Sequence, residues 1–386
     1  MPSESQVLVF PAFSNNPYLE LMQTVAQEDG FEFVHERVLT DLHTAGKRLA
    51  EGDVLHVHWT SPVAQGGADE NDAWARVRTF CRLVDQLKDD GVRLVWTIHN
   101  RLPHELSYVD PELALWRFLV DRADAVHVLT KDTPAVVADL CPLPADRVHV
   151  IPHPSYEGVY GDPVPRNIAR ERLELGADEP TVLFFGRMRA YKGLDTLIAA
   201  VAHLTAREDT PPTLLLAGRA RGPARAEIAR LLPTSSRTVT SFDFVEPDQV
   251  PVWFGAADVA VFPFRSILNS GSVHLSATLG VPAILPGVPH LRNQFGDEPW
   301  VRFYDVDDAV PSLARLLATP DPVDHASAMA KFCERHSPRV VSRRYADLLA
   351  GLTPSTRVAA GARRGPRAGV DRQWSQSRRP GRRRGS

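Results

Sequence analysis

Short apolar runs alternate along this chain with longer segments in which apolar residues recur every three or four positions. The short runs are typical of buried strands, and the periodic segments are typical of helices that cover a sheet. Strands are predicted at 6–10, 31–34, 53–58, 92–98, 125–129, 147–151, 181–185, 213–217, 238–242, 258–262 and 281–285. Helices are predicted at 19–27, 73–89, 112–122, 194–205, 222–231, 247–256, 272–279 and 308–318, followed by a helical segment at 322–352 that is broken near Ser337-Pro338. This alternation predicts an α/β fold of doubly wound parallel sheets.

Residues 153–167 interrupt the alternation, because their sequence HPSYEGVYGDPVPRN is dense in Pro and Gly and has no apolar period. Such a segment is typical of a linker, and the chain is long enough for two domains of ordinary size. We therefore predict a Rossmann-like domain at 1–152, a second one at 168–336, a C-terminal helix at 337–353 and a tail at 354–386.

A basic loop follows the predicted strand at 181–185 and carries Arg187, Arg189 and Lys192 after Gly186. In open parallel sheets, ligands bind at the carboxyl ends of the strands. Cations beside free backbone N–H groups suit a diphosphate at such a place. The loop residues alone fit an ordinary turn with solvated cations equally well.

The string FGRMRAYKGLDTLIAA resembles the donor-site loop of GT-B glycosyltransferases, in which a Gly-Arg pair and a Lys-Gly pair lie between a strand and a helix. The resemblance extends over roughly residues 5–352. It implies two Rossmann-like domains facing a cleft, with the last helix crossing back to the first domain. It also implies that Gly186, Arg187 and Lys192 bind the diphosphate of a UDP- or GDP-sugar. That nucleotide sugar is a co-substrate, and no separate cofactor is expected.

A second anion site is predicted at the turn before the helix at 272–279. The turn contains Asn269, Ser270, Gly271 and Ser272, with Ser272 as the expected N-cap, and Arg265 precedes it. Free N–H groups at a helix N-terminus attract anions. We assign these five residues to the donor site. A capped core helix without a ligand is the alternative.

The chain departs from a common GT-B pattern in the same region. Many retaining members carry two Glu residues eight positions apart, and alignment on Gly280 and Pro282 places Ile267 and Leu275 there. Ser276 or His274 is considered as a replacement for the second carboxylate. The departure leaves open a subgroup with different donor contacts, or lost activity.

Histidines follow two predicted strands of the first domain. The string VWTIHNRLPHE is similar to the strand-end Thr-x-His segment of the family, and this resemblance implies that His99 is the catalytic residue. Histidine exchanges protons near neutral pH. His58, Asn100, Asn15 and Asn16 are predicted to bind the acceptor.

A zinc site is the alternative explanation of these histidines. His56, His58, His99, His104 and Glu105 supply suitable donor atoms. No HExxH motif and no cysteine accompanies them. We therefore predict no metal site.

Composition and the N-terminal sequence indicate the cellular compartment of the protein. No window of about 18 apolar residues is present, so no membrane span is expected. The N-terminus, MPSESQVLVFPAF, lacks the basic stretch of a secretory signal, and the three cysteines are scattered. We expect a cytoplasmic protein.

The predicted tail at 354–386 carries ten Arg and one Asp, whereas residues 1–353 carry 34 basic and 46 acidic residues. The tail has too few apolar residues to order itself. Its charge suits peripheral contact with the anionic inner face of a membrane, and a solvated extension without a role is the alternative. No nucleic acid is expected, because Trp374 is the single aromatic residue there.

These features together favour a glycosyltransferase that moves a hexose from a nucleotide sugar to a saccharide or lipid-linked acceptor, as in polysaccharide biosynthesis. The absent carboxylates support a different class, a non-catalytic GT-B protein that binds a sugar nucleotide or a partner transferase. A sugar-nucleotide epimerase of the same fold is a third hypothesis.

Overall fold

The computed structural model describes residues 5–13, 16–206, 211–233, 236–319, 321 and 323–353. Asn15 and the predicted tail at 354–386 lie outside these residues. No described helix is both long enough and apolar enough to cross a membrane.

Six parallel strands form the first sheet, in the order β2-β1-β3-β4-β5-β6. The strands are β1 (Gln6–Phe10), β2 (Glu32–His35), β3 (Val54–Val57), β4 (Arg93–Ile98), β5 (Ala125–Val128) and β6 (Val148–Val150). Around them lie α1 (Pro17–Glu28), α2 (Leu39–Gly46), α3 (Ser61–Ala64), α4 (Glu70–Asp89), α5 (Val109–Arg122) and α6 (Thr133–Val137).

A second sheet of six parallel strands has the order β12-β11-β10-β7-β8-β9. Its strands are β7 (Thr181–Phe185), β8 (Thr213–Ala217), β9 (Thr238–Ser241), β10 (Val259–Val261), β11 (Ala283–Pro286) and β12 (Val301–Tyr304). The helices of this half are α7 (Arg166–Arg172), α8 (Leu194–Ala206), α9 (Pro223–Leu231), α10 (Val250–Gly255), α11 (Gly271–Thr278), α12 (Pro289–Phe295), α13 (Ala309–Ala318), α14 (Ala326–Arg335) and α15 (Pro338–Leu352).

Both sheets are covered by helices on two faces, which explains the uninterrupted apolar runs of the central strands. In β7, Leu183 packs into one core cluster while Val182 and Phe184 pack into another. All three side chains are at most 1% exposed. The prediction of doubly wound parallel sheets is therefore confirmed.

The sequence pattern missed four elements of moderate length, one of which is the seven-residue helix α7 that begins within the segment predicted as a linker. Strand β12 is only four residues long and contains Arg302, so it lacks a continuous apolar run. Helices α2 and α12 have eight and seven residues, too short for a periodic pattern to repeat.

Helix α15 leaves the second sheet and packs against α1 of the first. Arg343 pairs with Asp29 at 2.5 Å, and Arg339 pairs with Glu28 at 3.1 Å. Between the helices, Tyr345 is buried in the core cluster that contains strand β1. The chain thus passes between the two halves twice.

The two passages touch each other. The Ser155 N–H donates to the His336 carbonyl at 2.6 Å, which joins the linker to the segment before α15. A single region therefore holds both connections between the sheets.

Candidate active site

The basic loop begins where β7 ends, and a glycine makes room for its lysine. Gly186 has a φ of 112°, in the left-handed region that favours glycine. A Cβ at this position would lie 2.8 Å from the Lys192 ammonium nitrogen. Any larger residue at Gly186 would therefore displace the Lys192 charge.

The loop gathers positive charge without neutralising all of it. Arg187 is exposed and makes no hydrogen bond or ion pair with the described residues. Burial, together with the neighbouring Arg187 and Arg189, lowers the pKa of Lys192 to about 8. The Lys192 ammonium lies 5.8 Å from the ring centre of Phe264. The arrangement is suited to an anionic ligand.

The segment after β10 packs directly on this loop. The Arg265 N–H donates to the Tyr191 carbonyl at 2.9 Å, so the two loops share a backbone contact. The Arg265 guanidinium forms an ion pair with Asp195. Its charge is therefore already compensated, and a donor-binding role for Arg265 stays a prediction.

Helix α11 starts earlier than the sequence pattern indicates. Gly271 is its first residue and Ser270 is the N-cap, so the assignment of Ser272 as N-cap is wrong. The reason is a close contact. A Cβ at Gly271 would lie 2.5 Å from the Tyr156 hydroxyl and 2.8 Å from His153 Nε2, so only glycine lets the helix approach the linker.

The N-terminus of α11 keeps free donors. The Ser270 hydroxyl makes no capping hydrogen bond. The Gly271 and Ser272 amides have no hydrogen-bond acceptor among the described residues. The anion site predicted here stays a prediction, with these two amides as its donors.

Ser276 and His274, the two side chains considered in place of the absent second carboxylate, are both buried. The Ser276 hydroxyl donates to the Val281 carbonyl at 2.7 Å. His274 is 1% exposed and packs against His153, Phe332 and His336. Neither side chain is exposed in this structure, so a role for Ser276 or His274 in place of the carboxylate stays a prediction.

Two of the predicted histidines form a pair at the ends of β3 and β4. His58 Nδ1 lies 3.0 Å from His99 Nε2. Burial is the main cause that holds the pKa of each ring well below its usual range, and neighbouring histidines add to it. Both rings are therefore neutral near pH 7.

Beside this pair, Trp59 stacks on His99 with ring centres 4.3 Å apart. A cavity of about 20 Å³ is lined by both histidines, Trp59 and Asn100. Its volume holds roughly one water molecule. His99, His58 and Asn100 therefore lie together, as their positions at neighbouring strand ends predict.

The N-terminal loop offers fewer free polar side-chain atoms to an acceptor than the sequence predicts. Asn16 is the N-cap of α1, and its side-chain oxygen accepts from the Tyr18 N–H at 3.1 Å. This contact commits one of its polar atoms to the helix. An acceptor-binding role for Asn16 stays a prediction.

Three contacts join the loop after β4 to the second half across the cleft, and elsewhere the Asn293 side-chain amide donates to the Asp132 carboxylate at 2.9 Å. The Asn269 side-chain amide donates to the His99 carbonyl at 2.8 Å. The second and third contacts involve the basic loop: Arg189 pairs with Glu105, and Tyr191 stacks on His104 at 3.7 Å.

Asn269 is predicted from the sequence to bind the donor, but its amide donates to the backbone of the first half. The Arg189–Glu105 and Tyr191–His104 pairs are not predicted, because the two residues of each pair lie far apart in the chain. No periodic signal links such positions.

A family model described as "Glycosyl transferases group 1" matches residues 179–319. The D-inositol 3-phosphate glycosyltransferase of Thermobispora bispora is 30% identical over 309 residues, covering 74% of this chain and 67% of that protein. The enzyme of the same name from Xylanimonas cellulosilytica is 30% identical over 188 residues, covering 47% of this chain and 44% of that protein. The chain thus spans between 44% and 67% of the length of these two relatives.

Among solved structures, Anabaena HepE in complex with UDP and glucose is similar with a TM-score of 0.67 and 15% identity, covering 90% of this chain and 100% of that one. This likeness concerns the fold. Together with the two-sheet architecture and the basic loop within the matched segment, these findings confirm the resemblance noted in the sequence. The chain belongs to the group 1 glycosyltransferase family and has the GT-B fold.

Proposed function

We propose that this protein transfers a sugar from a nucleoside-diphosphate sugar to a saccharide or lipid-linked acceptor. The observation that carries the proposal is the pair of cations at the end of β7. Arg187 has no partner among the described residues, and Lys192 is partly buried beside it. A diphosphate is the ligand whose charge complements such a pair.

The donor would lie between this loop and the start of α11. Arg187 and Lys192 would stabilise the charge that develops on the leaving diphosphate as the bond to the sugar breaks. The free amides of Gly271 and Ser272 would add two hydrogen bonds. We expect no metal ion and no separate cofactor to take part.

The acceptor would lie on the first half, beside His99. A neutral histidine can accept the proton of the attacking hydroxyl. The contacts across the cleft keep His99 close to the donor loops, and a closed cleft limits hydrolysis of the donor by water. His99 is the catalytic residue in this proposal.

The relatives support the class of substrate. The HepE structure contains UDP and glucose, and both curated relatives are named for D-inositol 3-phosphate. UDP-sugars are therefore the first donors to test, with GDP-sugars beside them because the sequence resemblance implies either nucleotide, and polyol phosphates belong among the acceptors.

The decisive experiment is a donor screen without acceptor. Full-length protein is incubated with UDP-, GDP- and TDP-sugars, and products are identified by mass spectrometry and chromatography. Slow release of free sugar and nucleoside diphosphate is expected for one donor. Binding without any turnover would favour the non-catalytic alternative, and an epimerised nucleotide sugar would favour the epimerase.

We also propose that residues 354–386 attach the enzyme to the anionic inner face of a membrane. Each Arg near such a surface contributes at most about 1 kcal/mol, and the attraction decays within roughly 8–10 Å. Deletion of 354–386 should leave UDP and GDP binding intact and lower binding to vesicles that contain phosphatidylserine, in low salt only. Equal vesicle binding by both proteins would contradict the proposal.

A further inference from the structure

A row of side chains begins beside the cleft and runs along the carboxyl edge of the first sheet. Trp59 stacks on His99 with the ring planes 16° apart. Phe13 comes next, with its ring centre 5.3 Å from that of Trp59. The Arg37 guanidinium ends the row, 5.7 Å from the centre of the Phe13 ring. Trp59, Phe13 and Arg37 are called the strand-end row below.

Backbone hydrogen bonds between strand ends bring these three side chains together. The Ala12 N–H donates to the Glu36 carbonyl at 2.8 Å, which holds the loop after β1 beside the loop after β2. The His58 N–H donates to the Phe10 carbonyl at 2.7 Å, which holds the end of β3 beside the end of β1. Each residue of the strand-end row directly follows a residue of one of these contacts. The sheet therefore sets where the row lies.

The rings of the strand-end row are not fully buried. Phe13 and Trp59 keep part of their surface exposed, and Arg37 is exposed. By contrast, Trp96 and Trp116 of the same half meet edge to face in the core and are 1% and 2% exposed. Exposed aromatic surface is unfavourable in water, and binding sites commonly retain it. The row therefore has aromatic surface that a ligand can cover.

The charge at the end of the row is also uncompensated. A second Phe–Arg pair on α5 has the same spacing, with Arg122 at 5.7 Å from the Phe118 ring centre. There the guanidinium forms an ion pair with Asp85 at 2.8 Å. The Arg37 side chain makes no hydrogen bond or ion pair within the part of the chain that the structure describes. It is thus available to an anion.

The order of these groups indicates the ligand that they fit. The C–H hydrogens on the face of a sugar or polyol ring carry slight positive charge, which suits the negative face of an aromatic ring. A free guanidinium binds a phosphate through two parallel hydrogen bonds. A ring that carries a phosphate would therefore lie along the row, with its anionic end away from the cleft.

Resting on the sugar-transfer function proposed above, we propose that the strand-end row is an acceptor subsite for a sugar or polyol ring that carries a phosphate. The ring lies against Trp59 and Phe13, and the phosphate pairs with Arg37. The Trp59 end of the row adjoins His99, whose carbonyl accepts from the Asn269 amide of the second half at 2.8 Å. A hydroxyl at this end of the ring faces the donor loops.

A nucleotide has similar chemistry, because a base stacks on aromatic rings and a phosphate pairs with arginine. The position of the row favours the acceptor. It lies on the first half, whereas Arg187 and Lys192, the cations of the proposed donor site, lie on the second. Binding of UDP and GDP is therefore the internal control, and it should be unchanged in Arg37→Ala.

The first test measures binding without turnover. Full-length protein is titrated at pH 7 with myo-inositol 1-phosphate and glucose 1-phosphate, each beside its unphosphorylated form. Wild type should bind one of the phosphates roughly tenfold to a hundredfold more tightly than the unphosphorylated form. Arg37→Ala should remove that difference, and Arg37→Lys should keep part of it. Trp59→Leu should weaken binding of both forms roughly threefold to tenfold, and Trp59→Phe should weaken it less.

The α5 pair supplies matched controls. Phe118→Leu and Arg122→Ala change the same residue types at the same spacing, but they lie away from the strand ends. Both variants should bind the phosphates as wild type does.

A second arm identifies the source of the phosphorylated ring, which exists free in solution or as the headgroup of a lipid. Vesicles that contain phosphatidylinositol are compared with vesicles that contain the same amount of phosphatidylglycerol, so that the surface charge is equal. A preference for phosphatidylinositol that Arg37→Ala removes would assign the subsite to a lipid-linked acceptor. Arg37-dependent binding of the soluble phosphates alone would assign it to a free one.

Turnover separates this subsite from the donor site. With the phosphate that binds as acceptor, and UDP-glucose or GDP-mannose as donor, Arg37→Ala should raise the acceptor KM roughly tenfold to a hundredfold. Hydrolysis of the donor without acceptor should stay within about twofold of wild type, because Arg37 makes no contact with the donor.

The proposal is overturned if Arg37→Ala and Trp59→Leu bind the phosphates and both kinds of vesicle as wild type does. It is equally overturned if Arg37→Ala loses UDP or GDP binding, since the row would then serve the donor. Failure of the sugar-transfer function has a different signature: binding of the phosphate depends on Arg37, but wild type neither hydrolyses nor transfers sugar from either donor.

Discussion

At the scale of single residues, Arg187 and Lys192 are like charges held close together at the end of β7. Burial in the first place, and the charges of Arg187 and Arg189 in the second, lower the pKa of Lys192 to about 8. Sites of ligand binding commonly keep such unfavourable groupings, because the ligand relieves them. The two residues therefore differ from Arg265, whose charge is balanced by Asp195.

The first prediction concerns the pH dependence of nucleotide binding. Because the pKa of Lys192 is about 8, its ammonium is present at pH 7 and is lost as the pH rises through 8. Binding of UDP or GDP should weaken across this range. Arg187→Ala removes a charge-assisted contact worth about 1.5–3 kcal/mol, so binding at pH 7 should fall roughly tenfold to a hundredfold.

Arg187→Ala should also shift the pH at which nucleotide binding weakens, here called the break, to a higher value. The reason is that one of the charges that lower the Lys192 pKa is gone. Isothermal titration calorimetry between pH 7 and 9 measures both the affinity for the nucleotide and the pH of the break, with Arg230→Ala on α9 as the control. A break at the same pH in Arg187→Ala and wild type would contradict the assignment of the break to Lys192.

A second prediction separates catalysis from binding. His99→Ala should lower kcat for donor hydrolysis by roughly 10²- to 10⁴-fold, the usual contribution of a general base. Its donor KM should change little, because His99 lies on the half opposite the basic loop. Steady-state kinetics with folding checked by circular dichroism tests this. Unchanged kcat would make His99 a structural residue.

At the scale of elements, the basic loop after β7 and the loop after β4 meet across the cleft. Arg189 pairs with Glu105, and the rings of Tyr191 and His104 stack with their planes 3° apart. The Glu105 side chain is 79% exposed, so the ion pair alone contributes little. Its position matters because it joins the donor loop to the loop that begins at His99.

The third prediction is a charge reversal at this contact. Glu105→Lys places two cations together and should raise the donor KM about threefold to fivefold at low salt, in line with an exposed pair of at most about 1 kcal/mol. The double variant with Arg189→Glu should restore the wild-type value, and high salt should remove the difference.

Small-angle scattering on the same variants reports the opening of the cleft directly. The radius of gyration should increase in Glu105→Lys and return in the double variant. The contact has no role in closure if the single and double variants scatter and bind alike.

At the scale of the whole molecule, buried histidines concentrate where the two halves are joined. His153 lies in the linker, and His127 anchors the strand that leads to it through the Ile151 carbonyl. Burial lowers the pKa of both rings to about 4. In the unfolded chain, their pKa would be near 6.5.

The fourth prediction is that the protein loses stability in mild acid. Between pH 6.5 and 4 the unfolded chain binds protons at His127 and His153 while the folded protein does not, so the free energy of unfolding decreases as the pH falls. The loss is on the order of 1–2 kcal/mol per histidine at pH 5. Above pH 6.5 these groups have no effect.

Urea unfolding at pH 7 and pH 5 measures this loss. His127→Gln should reduce the difference between the two pH values, whatever its effect at pH 7, whereas His203→Gln on α8 should leave the difference as in wild type. An equal pH dependence in His127→Gln and wild type would show that other groups titrate instead.

The sequence by itself determined the local features of this protein. The apolar pattern distinguishes strand from helix because a strand covered on both faces is an uninterrupted apolar run, whereas a covering helix repeats its apolar residues every three or four positions. The alternation of the two predicted the parallel sheets, and the cations after β7 predicted an anion site at a strand end. The position of the α11 N-cap was wrong by two residues, because contact with the linker selects the helix start.

Only the tertiary structure decided which side chains meet. His58 and His99 are 41 positions apart, Arg189 and Glu105 are 84 apart, and His56 and Tyr345 are 289 apart. Such pairs depend on strand order and on the approach of the two halves. The proton position of His127 is decided at the same level, because it follows from the Ile151 carbonyl, a partner that sequence spacing does not reveal.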